Sequence, residues 1–339
     1  MGTEENKISY LDYKSNQNPR WCPGCGDHAI LNSVQKAMAE LELKTNETAV
    51  ISGIGCSSRF TYYMSTYGFH TIHGRASAIA SGVKTANPRL NVWQITGDGD
   101  SLAIGGNHFI HCIRRNINLN ILLFNNRIYG LTKGQYSPTS ERGFISKTSP
   151  FGTIEFPFRP GELAIGARGN FFARTLDVEL KLSTEIFKEA ALHKGTSVVE
   201  VLQNCVIYND KVNDEIADKN FRADRTIVLE HGKPMIFGKE RNKGLMLKGF
   251  NLEAVTIGEN GITESDILIH DATTEDNTLH LKLATMEYPQ YPVALGVIRK
   301  VEAPVYDEAM ETQIEDVRKR TTIRTFLDLA KEGDVWEVK

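Results

Sequence analysis

The chain has 339 residues, 41% hydrophobic and 24% charged, with a formal net charge of −3. That length holds one large α/β domain with an extension, or two domains, and the charge gives no reason to expect nucleic acid or an anionic membrane as partner. No run of about twenty apolar residues occurs, so no membrane span is expected; the polar start, Met1 to Asn18, has no apolar signal core, which points to the cytoplasm.

Residues 1–18 read as a leading arm without helical or strand signal. Pro19 to Asp27 is a tight Gly- and Pro-rich loop that carries Cys22 and Cys25 as C-x-x-C. Ala29 to Leu43 has helical spacing of Ala, Val and Leu. Thr48 to Ser52 is a short strand, followed by the loop Gly53-Ile54-Gly55-Cys56-Ser57-Ser58, whose small residues let backbone approach a ligand. Thr71 to Ala76, with His73 and Gly74, is another such loop and leads into a small-residue helix, Ala78 to Thr85.

Val92 to Thr96 then reads as a strand feeding the turn Gly97-Asp98-Gly99. A helical stretch follows, with Leu102, Phe109, Ile110 and Ile113 roughly on one face, and a second strand, Ile121 to Phe124, ends in Asn125-Asn126. In open α/β sheets ligands sit just past the carboxyl ends of strands. Mg²⁺ takes hard oxygen ligands and shares them with phosphate. Asp98 can supply a carboxylate, Asn126 an amide oxygen and Ile128 a backbone carbonyl, while Gly97 and Gly99 let the backbone reach a phosphate. The unit therefore points to a metal diphosphate.

Cys112 falls in the helix beside Ile110 and Ile113 and reads as an inert small hydrophobe. Leu131 to about Pro160 is polar, turn-rich and long, as functional loops are. Lys133 stands a few residues beyond the metal ligands, where its charge suits an anionic substrate such as a dicarboxylate. Gly161 to Arg168 is predicted as a short helix, Phe171 to Arg174 as a strand, Asp177 to Lys194 as an amphipathic helix capped by Asp177, and Ser197 to Leu202 as the last strand, with Cys205 just past its end. Five strands with intervening helices predict a doubly wound parallel sheet over residues 19–208.

Residues 209–339 read as an extension. Its charged run Asn209 to Arg225 suits a helix or an exposed arm, and Lys233 to Gly238 an extended, packed segment. Leu252 to Ile257 and Ile267 to His270 are predicted as short strands, Pro289 to Ile298 is a mixed apolar segment with two prolines, and Asp307 to Leu329 is predicted helical. The extension is expected to cover the cysteine site or grip a partner.

Cys22 and Cys25 have the C-x-x-C spacing of a metal or cluster clamp, and Cys56 and Cys205 both follow strands expected to end on one edge, so the four thiolates can converge. Spacing alone suits a [4Fe–4S] cluster and a structural Zn²⁺ equally. A thioredoxin-like dithiol fits less well, because that motif opens a helix within its own βαβ unit.

G-D-G followed by N-N one βαβ unit later resembles the thiamine diphosphate motif of thiamine-dependent enzymes. Trp21-Cys22-Pro23-Gly24-Cys25-Gly26, together with L-L-F-N-N-R-I-Y-G-L-T-K-G-Q-Y-S-P-T-S, resembles the β subunit of 2-oxoacid:ferredoxin oxidoreductases, and the second stretch their 2-oxoglutarate branch. The resemblance runs strongly from Pro19 to Asp210 and more loosely through the tail. It implies thiamine diphosphate and Mg²⁺ held among Gly55, Cys56, Ser57, His73, Gly74, Gly97, Asp98, Gly99, Asp100, Asn126, Ile128, Gly130, Leu131 and Thr132. His73 is expected at the diphosphate or thiazolium end, and Lys133 at the substrate carboxylate.

Beside a thiamine site, a cluster on Cys22, Cys25, Cys56 and Cys205 is the chemically sensible choice, because the electron-rich species left after decarboxylation must be oxidised in one-electron steps. The resemblance further implies a partner α (or fused γα) subunit supplying the pyrimidine half, coenzyme A bound largely there, and ferredoxin as acceptor. The expected reaction converts 2-oxoglutarate and coenzyme A to succinyl-CoA and CO₂. The alternatives are pyruvate or a branched-chain 2-oxoacid, a non-catalytic metal- or cluster-binding α/β module, and, more weakly, a non-oxidative thiamine decarboxylase.

Overall fold

Seven-residue runs such as Leu119–Asn125 and Thr196–Leu202 are buried at every position, the mark of strands covered on both faces. The computed structural model describes residues 8–334 together with Trp336 and Val338. The first seven residues of the expected arm, and 335, 337 and 339 of the extension, lie outside the described residues. Eleven strands run in chain order: β1 (Thr48–Ser52), β2 (Tyr67–His70), β3 (Asn91–Gly97), β4 (Leu119–Asn125), β5 (Phe171–Leu176), β6 (Thr196–Leu202), β7 (Thr226–Leu229), β8 (Ile236–Phe237), β9 (Lys243–Lys248), β10 (Asn251–Thr256) and β11 (Val293–Lys300). The helices are α1 (Asp27–Glu40), α2 (Ala76–Ala86), α3 (Asp98–Leu102), α4 (Gly106–Arg115), α5 (Pro160–Gly166), α6 (Leu180–Leu192), α7 (Asp214–Ala217), α8 (Arg222–Arg225), α9 (Thr278–Ala284), α10 (Tyr306–Arg320) and α11 (Phe326–Ala330).

The main sheet has the order β2-β1-β3-β4-β6-β5-β11-β7. All its neighbours are parallel except β11 against β5. Alternate residues of each strand feed opposite cores. Ala49, Ile51, Ile121, Leu123 and Val198 meet α2, α4, α5 and α9 on one face. Val50, Trp93, Leu122, Phe124 and Val199 meet α1 and α6 on the other. This is the doubly wound, mostly parallel sheet that the strand–helix alternation predicts. No helix among the described residues is long and apolar enough to cross a membrane.

The sheet has eight strands rather than five. Edge strand β2 is exposed at all four positions and lacks the apolar pattern of a buried strand. The other two come from beyond residue 208: β7, and β11 within and beyond the two-proline segment, which slots between β5 and β7. β8, β9 and β10 form a small antiparallel sheet whose Phe237, Leu245 and Leu252 join the α2/α4 core.

Several local expectations change. The helical stretch after Gly97 is two helices, α3 and α4, broken at Ala103–Gly105. Asp177 is not a helix cap: α6 starts at Leu180 without a side-chain cap, and the buried Asp177 carboxylate accepts from the Asn204 N–H at 2.8 Å. Ile267 to His270 forms no strand, only a bridge from Ile269 to Pro234. The arm before Asn18 contains a turn of 3₁₀ helix, Tyr10–Tyr13, whose Tyr13 is fully buried.

Candidate active site

Parallel strands β1, β3, β4 and β6 lie side by side and end on one edge. The loops after them carry, in turn, Cys56, Asp98, Asn126 and Cys205, so the topology collects the predicted residues.

At the end of β3, Asp98 is 2% exposed. Its Oδ2 accepts from the Ser137 hydroxyl and, at 2.6 Å, from Thr139 Oγ1. Burial raises its carboxyl to about 6, against the lowering effect of those hydroxyl donors. Both hydroxyls come from the long loop after β4, which folds back over the site. At the end of β4 the two asparagines divide their roles. Asn125 is buried and works inside the protein: its amide donates to Glu200 Oε1 at 2.7 Å, and its Oδ1 lies 2.9 Å from the Thr139 hydroxyl, whose single proton it shares with Asp98. Asn126 is half-buried, and its Oδ1 accepts the Ile128 N–H at 3.1 Å. Glu200 in turn pairs with Arg174, Nε to Oε2 at 2.7 Å. A buried polar chain thus runs from Arg174 on β5 through Glu200 on β6, Asn125 on β4 and Thr139 to Asp98.

Both oxygens of Asp100 have partners within the protein. Oδ1 accepts from Ile54 N–H (3.0 Å) and Gly74 N–H (2.7 Å), and Oδ2 from Thr96 Oγ1 (2.7 Å). It ties together the Gly53 loop, the His73 loop and the end of β3. Gly53 has to be glycine here, since a Cβ would stand 1.8 Å from the Asp100 carboxylate. His73 Nδ1 lies 2.9 Å from Asp100 Oδ1 but off line for a hydrogen bond, and its ring is partly exposed toward Tyr129.

Around Asp98 the backbone is bare. A Cβ on Gly97 would meet Ser57 Oγ at 3.5 Å, and one on Gly99 would strike the Tyr129 ring at 2.2 Å. The Tyr129 hydroxyl donates to the Gly99 carbonyl at 2.9 Å, joining the Gly97–Gly99 turn to the loop after β4. Gly130, Leu131 and Thr132 continue that loop; Leu131, Thr132 and Lys133 are exposed, with Lys133 at a left-handed φ of 70°.

All five cysteines are free thiols. Cys112 is buried in the α4 core, as its apolar setting predicts. The other four share one neighbourhood. A Cβ on Gly130 would lie 3.4 Å from Cys56 Sγ and 3.6 Å from Cys205 Sγ, so the loop from Asn126 passes close beside two thiols. Cys25 is pushed upward by burial, with further contributions from Asp27, Cys205 and Cys56. Burial raises Cys56 to about 11, with Asp27, Cys205 and Cys22 adding to the rise. The side-chain amide of Gln203 donates to Cys25 Sγ at 3.3 Å. Among the described residues no three His, Cys, Asp or Glu side chains are drawn together as a single-ion site.

Sequence reasoning passed over Ser137, Thr139, Arg174 and Glu200. A signal existed for the last two: a charge inside F-F-A-R-T-L and inside V-V-E-V-L, each strand buried throughout, has to be paired.

Residues 53–201 match the family described as thiamine pyrophosphate enzyme, C-terminal TPP binding domain. The chain is 46% identical over 330 residues to the 2-oxoglutarate oxidoreductase subunit KorB of Mycobacterium tuberculosis, covering 96% of this chain and 88% of that one. It is 41% identical over 237 residues to the 2-oxoglutarate synthase subunit KorB of Archaeoglobus fulgidus, covering 68% of this chain and 88% of the relative. A solved structure, the 2-oxoglutarate:ferredoxin oxidoreductase from Magnetococcus marinus with 2-oxoglutarate, coenzyme A and succinyl-CoA bound, matches over 98% of both chains with a TM-score of 0.77 and 31% identity.

Proposed function

Since the chain belongs to the family of 2-oxoacid:ferredoxin oxidoreductase β subunits, we propose that it acts on 2-oxoglutarate, yielding succinyl-CoA and CO₂ with coenzyme A and passing electrons to ferredoxin in the cytoplasm. The observation that carries this reading is the shared loop: the segment that begins at Asn126, beside Asp98, passes at Gly130 close to the sulfurs of both Cys56 and Cys205. A diphosphate-type site and a thiol site are thereby separated by a few residues of one loop.

The residues fit Mg²⁺ and thiamine diphosphate. Asp98 offers a buried carboxylate, Asn126 an amide oxygen and Ile128 a backbone carbonyl, all hard oxygen donors. Gly97 leaves room for a diphosphate, with Ser57 Oγ the nearest atom to its open side-chain position. Bound there, the thiazolium would supply the electron sink that lets a 2-oxoacid lose CO₂. Asp100 holds the two neighbouring loops at fixed spacing, and His73 stands at their mouth. Lys133, exposed beyond the metal ligands, pairs with the distal carboxylate of the substrate.

The thiols fit a [4Fe–4S] group better than a single zinc ion. Zinc needs sulfurs drawn in to about 2.3 Å bonds, whereas a cluster spreads its four thiolates more widely. Cys22, Cys25, Cys56 and Cys205 would hold it, and the Gln203 amide would donate to the Cys25 sulfur, a contact that tunes such centres. Bound, the cluster would serve as the one-electron acceptor.

A partner α (or fused γα) subunit completes the site with the pyrimidine half and much of the coenzyme A contact. Supporting this, the long loop beside the site displays Ile145, Phe151, Ile154 and Phe156, exposed by 70, 99, 84 and 79%. Apolar patches of this kind mark protein contacts.

The test is anaerobic purification with the co-expressed partner, followed by iron, sulfide and zinc analysis and turnover on a panel of 2-oxoacids. Expected are about four irons and four sulfides per chain and strongest turnover with 2-oxoglutarate. One zinc per chain and no iron, or faster turnover of pyruvate, would overturn the respective part.

A further inference from the structure

Lys133 is presented by a small closed turn between two glycines. Its N–H donates to the Gly130 carbonyl at 3.0 Å, the Gly134 N–H to the Tyr129 carbonyl at 3.0 Å, and the Tyr129 N–H to the Gln135 carbonyl at 2.8 Å. Those bonds bend the chain so sharply that Lys133 and Gly134 stand at consecutive left-handed φ values of 70° and 98°. Glycine adopts such a φ freely, but a lysine keeps it only where the surroundings over-determine it. Leu131, Thr132 and Lys133 are exposed, so the packing that fixes the turn falls to its two glycines.

The ring of Tyr208 supplies that packing. A Cβ on Gly134 would lie 3.0 Å from Tyr208 Cδ1, and one on Gly130 would lie 4.0 Å from Cδ2. The two ring carbons that flank Cγ thus each face one of the glycines bracketing Lys133, and the ring lies across the base of the turn. Tyr208 is itself held from both sides, within a turn just past β6. The Asn209 N–H donates to the Cys205 carbonyl at 3.1 Å. The Asn209 side-chain amide donates to the Asn126 carbonyl at 2.9 Å, and that of Asn204 to Asp210 Oδ1 at 2.9 Å. A fastened segment from the end of β6 therefore carries a flat ring to the turn that follows β4.

We propose that Tyr208 is a positioning residue that sets the preference for a dicarboxylate, by seating the Lys133 turn so that the lysine's charge meets the distal carboxylate of 2-oxoglutarate. This rests on the reading of Lys133 as the carboxylate contact, and it adds the residue that aims the lysine. Lysine needs such help, because its ammonium is a point charge on a flexible four-carbon stem, and only the backbone at its root can be held in advance. Ordering that root before the substrate arrives lowers the cost of binding. Pyruvate has no distal carboxylate, so its binding draws nothing from the arrangement. The effect falls on KM for one substrate rather than on the chemical step common to both.

The experiment uses the enzyme with its co-expressed partner subunit, as the parent, Tyr208→Ala, Tyr208→Phe, Lys133→Ala and the double variant Tyr208→Ala/Lys133→Ala. Steady-state kinetics with 2-oxoglutarate and with pyruvate give the ratio of the two kcat/KM values, and iron content shows whether the thiol site stays assembled. Hydrogen exchange over residues 129–135, read by mass spectrometry, reports the turn without any substrate. Expected for Tyr208→Ala are a ratio about tenfold lower, carried by KM for 2-oxoglutarate, and faster exchange across the turn. Tyr208→Phe keeps both parent values, because ring carbons and not the hydroxyl meet the glycines. The double variant is as selective as Lys133→Ala alone, since the ring acts only through the lysine. An unchanged ratio or unchanged exchange in Tyr208→Ala, or a double variant less selective than Lys133→Ala, overturns the seating role and leaves Lys133 as the carboxylate contact. An unchanged ratio in Lys133→Ala overturns both the seating role and the reading beneath it. If Tyr208→Ala loses its iron, Tyr208→Leu, which keeps the bulk without the flat two-sided contact, takes its place under the same expectations.

Discussion

Glu200→Ala is the most informative perturbation of the core beneath the site. Glu200 is 2% exposed and its partner Arg174 7%, side chains only. Removing the carboxylate leaves the guanidinium charged and buried, with only the Ala284 carbonyl at 2.8 Å and the Ala294 carbonyl at 3.5 Å as acceptors. Breaking one side of a buried pair costs about 3–5 kcal/mol. The Asn125 amide also loses its acceptor, which adds about 1–3 kcal/mol for a stranded donor. A total near 5 kcal/mol moves the urea unfolding midpoint down by more than about 1 M. The double variant Glu200→Leu/Arg174→Met removes both charges and recovers most of the loss. Because Asn125 and Thr139 relay the strain to Asp98, the single variant also retains thiamine diphosphate less well. A midpoint shift below about 0.3 M, or a double variant no more stable than the single, would refute the view that this pair holds the chain of polar contacts in place.

Three other perturbations follow from the same geometry. Gly99→Ala drives a methyl into the Tyr129 ring; such overpacking costs about 1–3 kcal/mol and weakens cofactor binding, and Tyr129→Ala in the same chain restores thermal stability. Asp98, raised to about 6 by burial, must be ionised to hold a metal, so calorimetric Mg²⁺–thiamine diphosphate affinity falls as pH drops through about 6; affinity flat across that range removes Asp98 from the metal site. The sign for the unliganded chain is opposite. A folded value above the unfolded 3.8 means that the Asp98 share of stability is present below pH 3.8 and lost as pH rises through about 6, and Asp98→Asn flattens that decline. Lys133→Ala raises KM for 2-oxoglutarate about tenfold, the loss of roughly 1.4 kcal/mol, and leaves pyruvate unchanged; equal effects on both would deny it the carboxylate.

How far the sequence speaks depends on burial. β1, β3, β4, β5 and β6 are legible because strands covered on both faces are written in continuous apolar letters. β2 is not, since Tyr67, Gly68, Phe69 and His70 are all exposed and carry no such run. β11 is hidden by the prolines before it and by Gly296, which interrupts its apolar run at a φ of 96°. Asp98 and Asn126 were readable as a spaced pair because both follow strands that the pattern identifies. Ser137 and Thr139 were not, since a loop hydroxyl 39 or 41 residues away from its carboxylate leaves no periodic trace. Asp100 reads in the sequence as a cofactor-binding residue of the same turn, and only the fold reveals that three chain segments bond to it.

The antiparallel insertion of β11 has a consequence for biogenesis. β5, with Phe171, Phe172 and Ala173 fully buried, borders β11 on its outer side. During synthesis its edge stays open until residues 293–300 leave the ribosome, roughly 10 s later at translation speeds of about 5–20 residues per second. A nascent or prematurely ended chain therefore displays an unpaired, strongly apolar strand to its neighbours. Nonsense products that stop anywhere between Cys205 and β11 are expected to be chaperone clients and protease substrates, even though every residue of the candidate site has already been made.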